Sequence, residues 1–250
     1  MKDKMEMDLT DKVVLVTGAG SGLGAATARA FGCAGCQVVC LDVNEENAQR
    51  VSSDLRTDEI SCAALACDVS DAQSVADVVA QVVAQYGRID ILVNNAAVDH
   101  TVSVADMSIE QWDQVIGVNL RGPFLLSKAV LPHMQQQKAG HIVNVASTAA
   151  TRAWANASAY LASKWGLVGF SRGLGVEGRP FNIRVTTVIP GGMRTHFFDR
   201  FADQGIPMPD ESNLQDPAIV ADVIVSTVRL PQQSVIQEVI VTPLTESSWP

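Results

Sequence analysis

Two residues in the segment ASAYLASKWGLVGF have the types and the spacing needed for proton transfer, namely Tyr160 and Lys164. Residues four apart on an α-helix lie on the same face, so the Tyr hydroxyl and the Lys ammonium group can share one pocket. A free phenol has a pKa near about 10, and a nearby cation favours the phenolate and lowers that pKa. The pair predicts a general acid/base at Tyr160, although the same spacing also occurs in helices that only pack.

A phosphate-binding loop is predicted in VVLVTGAGSGLG, where Gly18, Gly22 and Gly24 lie at the turn from a strand into a helix. Backbone N–H groups and the helix dipole at such a turn favour an anionic phosphate. Glycine is required because a side chain would block the pyrophosphate or the contact between helix and strand. Tight turns also use glycine for steric reasons alone, but the position directly after the first strand favours a dinucleotide site.

Asp42 ends the second predicted strand, VVCLDVN, eighteen residues after Gly24. An acidic side chain at this place accepts hydrogen bonds from the adenosine ribose hydroxyls. The 2′-phosphate of NADP would meet a like charge, and neither Ser21 nor Val43 supplies a cation to bind it. We therefore predict NAD as the cofactor. The alternative for Asp42 is a solvated carboxylate at the end of a strand.

The elements that must position these residues follow a βαβ pattern, in which short apolar runs alternate with helical segments. Runs such as VVLV and ILV lack polar alternation, which is typical of parallel strands covered by helices on both faces. Later helices are predicted around Ile109–Met134, from Tyr160 to about Glu177, and over Pro217–Val228. The sequence indicates one α/β domain over residues 1–250. Residues 192–215 are rich in Gly, Pro and polar residues, and we expect them to form a substrate loop.

Composition excludes several classes of function. The 250 residues carry a formal net charge of −9 and a pI near 4.8, which disfavours binding to nucleic acid or to an anionic membrane. No apolar run is long enough to span a bilayer, and the charged N-terminus lacks the apolar core of a signal peptide. We expect a cytoplasmic protein whose residues 1–10 form a flexible tail.

All five cysteines lie in the first third of the chain, and CAGC at 33–36 has the spacing of a redox or metal pair. The nearest histidine is His100, and the sequence contains no His-x-x-x-His. We therefore predict reduced, structural thiols and no metal site. The cysteines are Cys33, Cys36, Cys40, Cys62 and Cys67.

Taken together, the motifs resemble the short-chain dehydrogenases/reductases across nearly the whole chain. They are TGAGSGLG (17–24), NNAA (94–97), VNL (118–120), Ser147, YLASK (160–164) and PGGMRT (190–195). Each motif alone is weak, but all of them in this order are highly specific. The resemblance implies a Rossmann-like, doubly wound parallel sheet of about seven strands. It also implies NAD-dependent interconversion of a secondary alcohol and a ketone.

The resemblance also assigns site residues. The implied catalytic tetrad is Asn119, Ser147, Tyr160 and Lys164. The implied cofactor contacts, from the phosphates and adenosine to the nicotinamide, are Gly18, Ser21, Gly22, Leu23, Gly24, Asp42, Asp68, Val69, Asn95, Ala96, Tyr160, Lys164, Pro190, Gly191, Met193 and Thr195.

The roles of the tetrad have physical reasons. Ser147 would donate a hydrogen bond to the substrate oxygen and hold it beside the phenol. Tyr160 would act as the base in alcohol oxidation and as the acid in ketone reduction. Lys164 would favour the phenolate and bind the nicotinamide ribose. Asn119 would hold a water that links Lys164 to solvent; the alternative is an amide that stabilises a helix kink before Pro123.

Substrate recognition is less defined. Trp154, His196, Phe197 and Phe198 predict an apolar or aromatic pocket, although each could be ordinary loop packing. NNAA replaces the family's usual NNAG, and Thr186 stands where the family commonly has Asn. The C-terminal segment QEVIVTPLTESSWP lacks the usual glycine-rich ending. The resemblance implies a homotetramer, built on the helices near 109–134 and Tyr160.

Two other functions remain open. One is a regulator that senses NAD(H) on the same fold without turnover, which would be expected to lose part of the tetrad. The other is a nucleotide-sugar epimerase or dehydratase, although such relatives are generally longer and have a different glycine spacing.

Overall fold

The central element is a parallel sheet of seven strands in the order β3-β2-β1-β4-β5-β6-β7, seen in a computed structural model that describes residues 7–199, 201, 208 and 210–246. All neighbouring strands in it are parallel. The predicted α/β fold is therefore confirmed. The strands are β1 Val13–Thr17, β2 Gln37–Asp42, β3 Cys62–Ala66, β4 Ile91–Asn94, β5 Gly140–Val145, β6 Ile183–Pro190 and β7 Glu238–Val241.

Helices cover both faces of this sheet. They are α1 Gly22–Cys33, α2 Glu45–Thr57, α3 Ala72–Tyr86, α4 Ile109–Ile116, α5 Gly122–Gln137, α6 Ser158–Gly178 and α7 Pro217–Val228. Val14 and Val16 of β1 pack in one core with α1, α2 and α7, whereas Val13 and Leu15 pack in the other with α3 and α5. Because successive strand residues face opposite layers, the strands read as continuous apolar runs.

The long helix expected around Ile109–Met134 is interrupted. Helix α4 begins at the Ser108 capping box with Gln111 and ends at Ile116. A π-helical turn at Gly117–Arg121 follows and leads into α5, which has Pro123 in its first turn. Proline has no N–H to donate, and a π-turn is typical of functional positions within helices. The predicted limits of α6 and α7 agree with the structure to within a residue or two.

Residues 7–10 are anchored to the rest of the fold, which differs from the flexible tail expected at 1–10. The Met7 N–H donates to the Arg229 carbonyl, and Leu9 is only 3% exposed within the core. The Leu9 carbonyl accepts the Cys36 thiol at 3.4 Å. The flexible tail was predicted because most residues of this segment are charged or polar. The segment also contains one apolar residue, Leu9, which is buried in the core. The rest of the expected tail, residues 1–6, lies outside the described part of the chain.

The sheet reverses direction of winding between β1 and β4, because β2 and β3 extend to one side and β5 to β7 to the other. Parallel α/β sheets bind ligands in the crevice beyond the carboxyl ends of the strands at this switch point.

The five cysteines are free thiols, with Cys33 exposed and the others buried. Within the described residues, no helix is both long and apolar enough to cross a bilayer.

Candidate active site

A cavity of about 950 Å³ lies at the carboxyl ends of the strands, on both sides of the switch point. Its size is that of a site for a large ligand. All predicted site residues line it except Gly24 and Asn119, which lie behind it. Those that line it are Gly18, Ser21, Gly22, Leu23, Asp42, Asp68, Val69, Asn95, Ala96, Ser147, Trp154, Tyr160, Lys164, Pro190, Gly191, Met193, Thr195, His196, Phe197 and Phe198.

The glycine loop has the backbone that the motif predicted. Gly18 and Gly22 adopt φ values of +62° and +51°, a region that side chains rarely occupy. A Cβ on Gly24 would overlap the carbonyl oxygen of Gly18, so glycine is needed for α1 to begin directly against the loop. The loop and the N-terminus of α1 therefore form a concave surface where a pyrophosphate can approach the backbone.

Hydrogen bonds from Thr17 and Asn95 lock this loop to the end of β4. The Thr17 hydroxyl donates to the Val93 carbonyl and accepts the backbone N–H groups of Asn95 and Ala96 at 2.9 and 3.0 Å. The Asn95 side chain donates to the Thr17 carbonyl at 2.9 Å. Sequence analysis missed Thr17, although its position directly before Gly18 was a usable signal.

Asp42 lines the cavity at the end of β2, and hydrogen bonds hold its side chain in place. Its two carboxylate oxygens accept the backbone N–H groups of Gly20 and Asn44, both at 2.9 Å. Arg50 was also missed: its guanidinium donates to the Gly20 carbonyl at 3.0 Å. Arg50 comes from α2 and does not line the cavity, whereas Asp42 does. A ribose at this place would therefore meet the carboxylate first.

Beyond the end of β3, Asp68 accepts both the backbone N–H and the hydroxyl of Ser70, at 2.9 and 2.7 Å. Val69 packs against Gly122, where a Cβ would come within 2.9 Å of the valine side chain. The predicted pair Asp68 and Val69 thus closes one wall of the cavity.

Tyr160 and Lys164 share one buried pocket, as their spacing predicted. The Lys164 Nζ lies 5.5 Å from the centroid of the Tyr160 ring and donates to the Val145 carbonyl at 2.9 Å. Lys164 is 2% exposed, and burial lowers its pKa from the usual 10.5 to about 8. At pH 7 the ammonium form remains the major one, so the pocket holds a positive charge beside the phenol.

Ser147 follows β5 and caps the 3₁₀ turn Thr148–Ala150. Its Oγ accepts the backbone N–H of Ala149 at 3.1 Å, which fixes the side chain toward the cavity it shares with Tyr160. Accepting this bond leaves the hydroxyl hydrogen able to donate to a ligand oxygen.

Asn119 lies in the π-helical turn, buried behind the cavity. Its Oδ1 accepts the Val98 N–H, and its Nδ2 donates to the Val98 carbonyl and to Ser163 Oγ, at 2.8, 2.8 and 3.1 Å. The side chain is therefore engaged in holding the loop after β4 against α6. The water-holding role of Asn119 stays a prediction.

The predicted aromatic residues meet Tyr160 at the substrate end. The Phe197 ring centroid is 5.5 Å from that of Tyr160, and Phe198 continues the contact toward Phe201. Trp154 is 45% exposed at the rim. His196 is exposed, and its Nδ1 contacts the Asp199 carboxylate at 2.8 Å.

The ends of the substrate loop, residues 192–215, are joined. Met193 and Gln215 form a parallel bridge, in which the Arg194 N–H donates to the Gln215 carbonyl at 2.9 Å. The Gln215 side chain donates to the Val241 carbonyl of β7, also at 2.9 Å. The loop thus begins and ends against the sheet.

Two charged residues at the substrate end were missed by sequence analysis. Arg152 forms an ion pair with Glu246, and both side chains are largely buried and line the cavity. They are 94 residues apart in the sequence, and neither belongs to a motif. Only the atypical C-terminal segment was a signal that this region differs.

Two residues differ from the family pattern inside the chain, Ala97 in NNAA and Thr186, and the fold has room for both. Ala97 has no positive φ, so its methyl group causes no backbone strain there. Thr186 is buried and joins two elements, since its hydroxyl donates to the Ile236 carbonyl and accepts His141 Nε2 at 2.8 Å. Burial lowers the pKa of His141 well below its usual 6.5.

Comparison with known proteins adds independent findings. The sequence model described as short chain dehydrogenase matches residues 12–205. The chain is 43% identical over 182 residues to D-threitol dehydrogenase of Mycolicibacterium smegmatis, covering 73% of this chain and 70% of that protein. It is 36% identical over 198 residues to the 3-oxoacyl-acyl-carrier-protein reductase of Thermotoga maritima, covering 79% and 80%.

Solved structures agree over almost the full length. A metagenomic short-chain oxidoreductase in complex with NADP matches with a TM-score of 0.84 and 34% identity, covering 96% of this chain and all of that one. An actinorhodin polyketide ketoreductase with NADPH matches with a TM-score of 0.87 and 30% identity, covering 95% and 98%.

Proposed function

The chain belongs to the short-chain dehydrogenase family of oxidoreductases, and from this premise we propose that it interconverts a secondary alcohol and a ketone, with NAD as the preferred cofactor. The observation that carries the proposal is the buried ammonium group of Lys164 beside Tyr160, in a cavity that also contains Ser147. Burying an ammonium group costs free energy of folding. Its positive charge can favour the phenolate form of Tyr160, which proton transfer needs.

The residues fit a dinucleotide. The glycine loop presents backbone N–H groups to a pyrophosphate, and Asp42 stands where the adenosine ribose would lie. When bound, the nicotinamide supplies the hydride donor or acceptor. The nicotinamide end is proposed to rest against Pro190, Gly191, Met193 and Thr195, which line the cavity after β6.

Each residue of the tetrad then has one task. Ser147 donates to the substrate oxygen and orients it. Tyr160 takes the hydroxyl proton during oxidation and returns it during reduction, because Lys164 favours the phenolate form. Lys164 also binds the ribose of the nicotinamide half. Asn119 holds the loop after β4 in place and keeps α6 in register.

NAD is proposed over NADP because the Asp42 carboxylate lines the cavity and would repel a 2′-phosphate. Two observations oppose this choice and make it worth testing. Arg50 contacts the glycine loop from behind, and the two structural relatives described above were solved with NADP or NADPH.

We also propose one catalytic domain, a cytoplasmic location and a homotetramer. The exposed apolar side chains Trp112 on α4, Phe124 on α5 and Trp165 on α6 support an interface on these helices. The free thiols are typical of a reducing compartment. Light scattering at micromolar concentration tests the assembly, and a monomeric mass would contradict it.

The decisive experiment is a panel of secondary alcohols and ketones, assayed by NADH and NADPH absorbance. Tyr160→Phe should abolish turnover and leave NAD affinity nearly intact, because only the proton-transferring oxygen is lost. The chain has one other tyrosine, Tyr86 on α3. Tyr86→Phe is the matched control and should keep wild-type turnover. Near wild-type activity of Tyr160→Phe would mean that the pair only packs.

The regulator alternative predicts cofactor binding without turnover of any compound in the panel. The intact tetrad around one cavity disfavours it. An epimerase or dehydratase would instead convert a nucleotide sugar without net change in NADH.

A further inference from the structure

An unpartnered carboxylate oxygen lies in the wall of the active-site cavity. Glu246 uses Oε1 for its ion pair with Arg152, and its side chain is only 12% exposed. Its other oxygen, Oε2, is buried and has no hydrogen-bond partner among the described residues. A buried acceptor without a partner costs free energy, so such an atom indicates a missing donor.

The position of this oxygen connects it to the chemistry. A Cβ on Gly191 would overlap Glu246 Oε2, so the carboxylate lies against the backbone that follows β6. Gly191 belongs to the segment proposed to hold the nicotinamide end, and Glu246 lines the same cavity as Tyr160 and Ser147. Because Oε2 has almost no exposed surface, a ligand hydroxyl would reach it through a small shift of the cavity wall.

Other contacts hold Glu246 in place. Its N–H donates to the Pro243 carbonyl at 3.0 Å, and the neighbouring Thr245 hydroxyl donates to the Ser212 carbonyl of the substrate loop at 3.1 Å. Arg152 also donates to the Thr148 hydroxyl at 3.2 Å and lies 5.8 Å from the centroid of the Trp154 ring. These contacts give the carboxylate a fixed place in the cavity wall.

We propose that Glu246 Oε2 accepts a hydrogen bond from a second hydroxyl group of the substrate, so that the enzyme prefers diols or polyols to simple secondary alcohols. The proposal deepens the alcohol–ketone function and rests on it. Glu246 is a specificity residue here and takes no part in proton or hydride transfer.

The charges favour a hydroxyl over the other possible donors and ligands. An anionic substrate would have to break the pair between Arg152 and Glu246, and it would not satisfy Oε2. An ammonium group would satisfy Oε2 but would be placed beside the Arg152 guanidinium, where like charges repel. A neutral hydroxyl satisfies the acceptor without either cost.

The kinetic test compares 2-butanol, 2,3-butanediol and 3-amino-2-butanol as substrates. A hydrogen bond to a charged group should favour the diol over the mono-alcohol in kcat/KM by roughly 10- to 100-fold. Glu246→Ala should remove this preference, so that kcat/KM becomes similar for the diol and for 2-butanol, while the Kd of the cofactor stays unchanged. Glu246→Gln keeps the shape and a hydrogen-bonding group, and it should restore part of the preference.

The matched control is Glu238→Ala. Glu238 also belongs to the C-terminal segment and also pairs with an arginine, Arg172, but this pair is on the surface outside the cavity. This variant should keep the full preference for the diol. A similar loss in both variants would mean that Glu246 acts only through the general packing of the segment.

A binding measurement separates this proposal from the proposed function. The protein saturated with NADH is titrated with 2-butanol and with 2,3-butanediol, and NADH fluorescence reports binding whether or not turnover occurs. Tighter binding of the diol that depends on Glu246 supports the subsite even if no alcohol is oxidised. Equal binding of both alcohols, preference for the amine, or a changed cofactor Kd in Glu246→Ala would overturn the proposal.

Discussion

The two ends of the active-site cavity are built in different ways. At the cofactor end, the cavity wall comes from short segments at the ends of β1, β2 and β4, chiefly the backbone of the glycine loop, together with the Asp42 carboxylate. At the substrate end, it comes from side chains on loops, and Arg152 and Glu246 are 94 residues apart. A backbone-built site tolerates little change, whereas a side-chain-built site can be altered one residue at a time.

The largest effect is expected where the two ends meet, at Lys164. Lys164→Met should lower kcat by about 10²- to 10⁴-fold, because the charge that favours the Tyr160 phenolate is lost. The same change should stabilise the cofactor-free protein at pH 7 by roughly 1 to 3 kcal/mol, because no ammonium group is buried. Steady-state kinetics and thermal unfolding measure the two effects.

The pH dependence of that stabilisation has a definite sign. Burial lowers the pKa of Lys164 to about 8, so the folded state disfavours its protonated form. The destabilisation is fully present below pH 8 and disappears as the pH rises toward the unfolded value of about 10.5. Wild type and Lys164→Met should therefore converge in stability between pH 8 and 10.5. A constant difference across this range would contradict the assignment.

Two glycine substitutions compare the ends directly. A Cβ at Gly24 would overlap the Gly18 carbonyl oxygen, whereas the atom nearest to a Cβ at Gly192 would be a side-chain carbon of Leu214, at 2.8 Å. Gly24→Ala should cost about 3 kcal/mol or more in unfolding free energy and weaken NAD binding, because a backbone atom cannot move aside. Gly192→Ala should cost less than about 1 kcal/mol. Equal losses in denaturant unfolding would remove the distinction between the two ends.

Asp42→Ala tests which cofactor the cofactor end of the cavity prefers, NAD or NADP. It should reduce the ratio of NAD to NADP affinity by about 10-fold, since it removes a ribose acceptor and relieves repulsion of the 2′-phosphate. Calorimetric titration with both cofactors measures the ratio. Arg50→Gln shows whether the cation behind the loop contributes to NADP binding. Equal or tighter binding of NADP by the wild type would refute the NAD preference.

A pH-dependent effect on stability is expected at His141, near the start of β5. Its lowered pKa means that the folded state binds fewer protons than the unfolded state. Stability should therefore fall as the pH drops below about 6.5, by up to about 1.4 kcal/mol per pH unit. His141→Gln should flatten this dependence in denaturant unfolding between pH 5 and 7. An unchanged slope would assign the acid sensitivity to other groups.

The difference between the two ends of the cavity also explains which features the sequence could predict: features set by nearby residues were predictable, and features set by residues far apart in the chain were not. The strands, α6, α7 and the glycine loop follow from local periodicity and turn chemistry, which act over a few residues. The break at Gly117–Arg121 was predicted only as the alternative for Asn119, a kink before Pro123, because α4 and α5 share one helical pattern. The bond from the Val98 N–H to Asn119 is a contact across space that the sequence does not show. The packing of Leu9 and the pairing of Arg152 with Glu246 likewise arise only from tertiary contacts.

The bridge between Met193 and Gln215 fixes both ends of the substrate loop next to the sheet, so the length of the loop between them has little influence on the stability of the sheet. Closing a longer loop between fixed ends costs little, about 0.6 kcal/mol for each doubling of its length. Insertions, deletions and replacements between these anchors should therefore leave the scaffold nearly unaffected in stability. In evolutionary terms, the segment between Thr195 and Gln215 can be exchanged, and new substrates can be acquired there while the residues proposed to hold the cofactor stay constant.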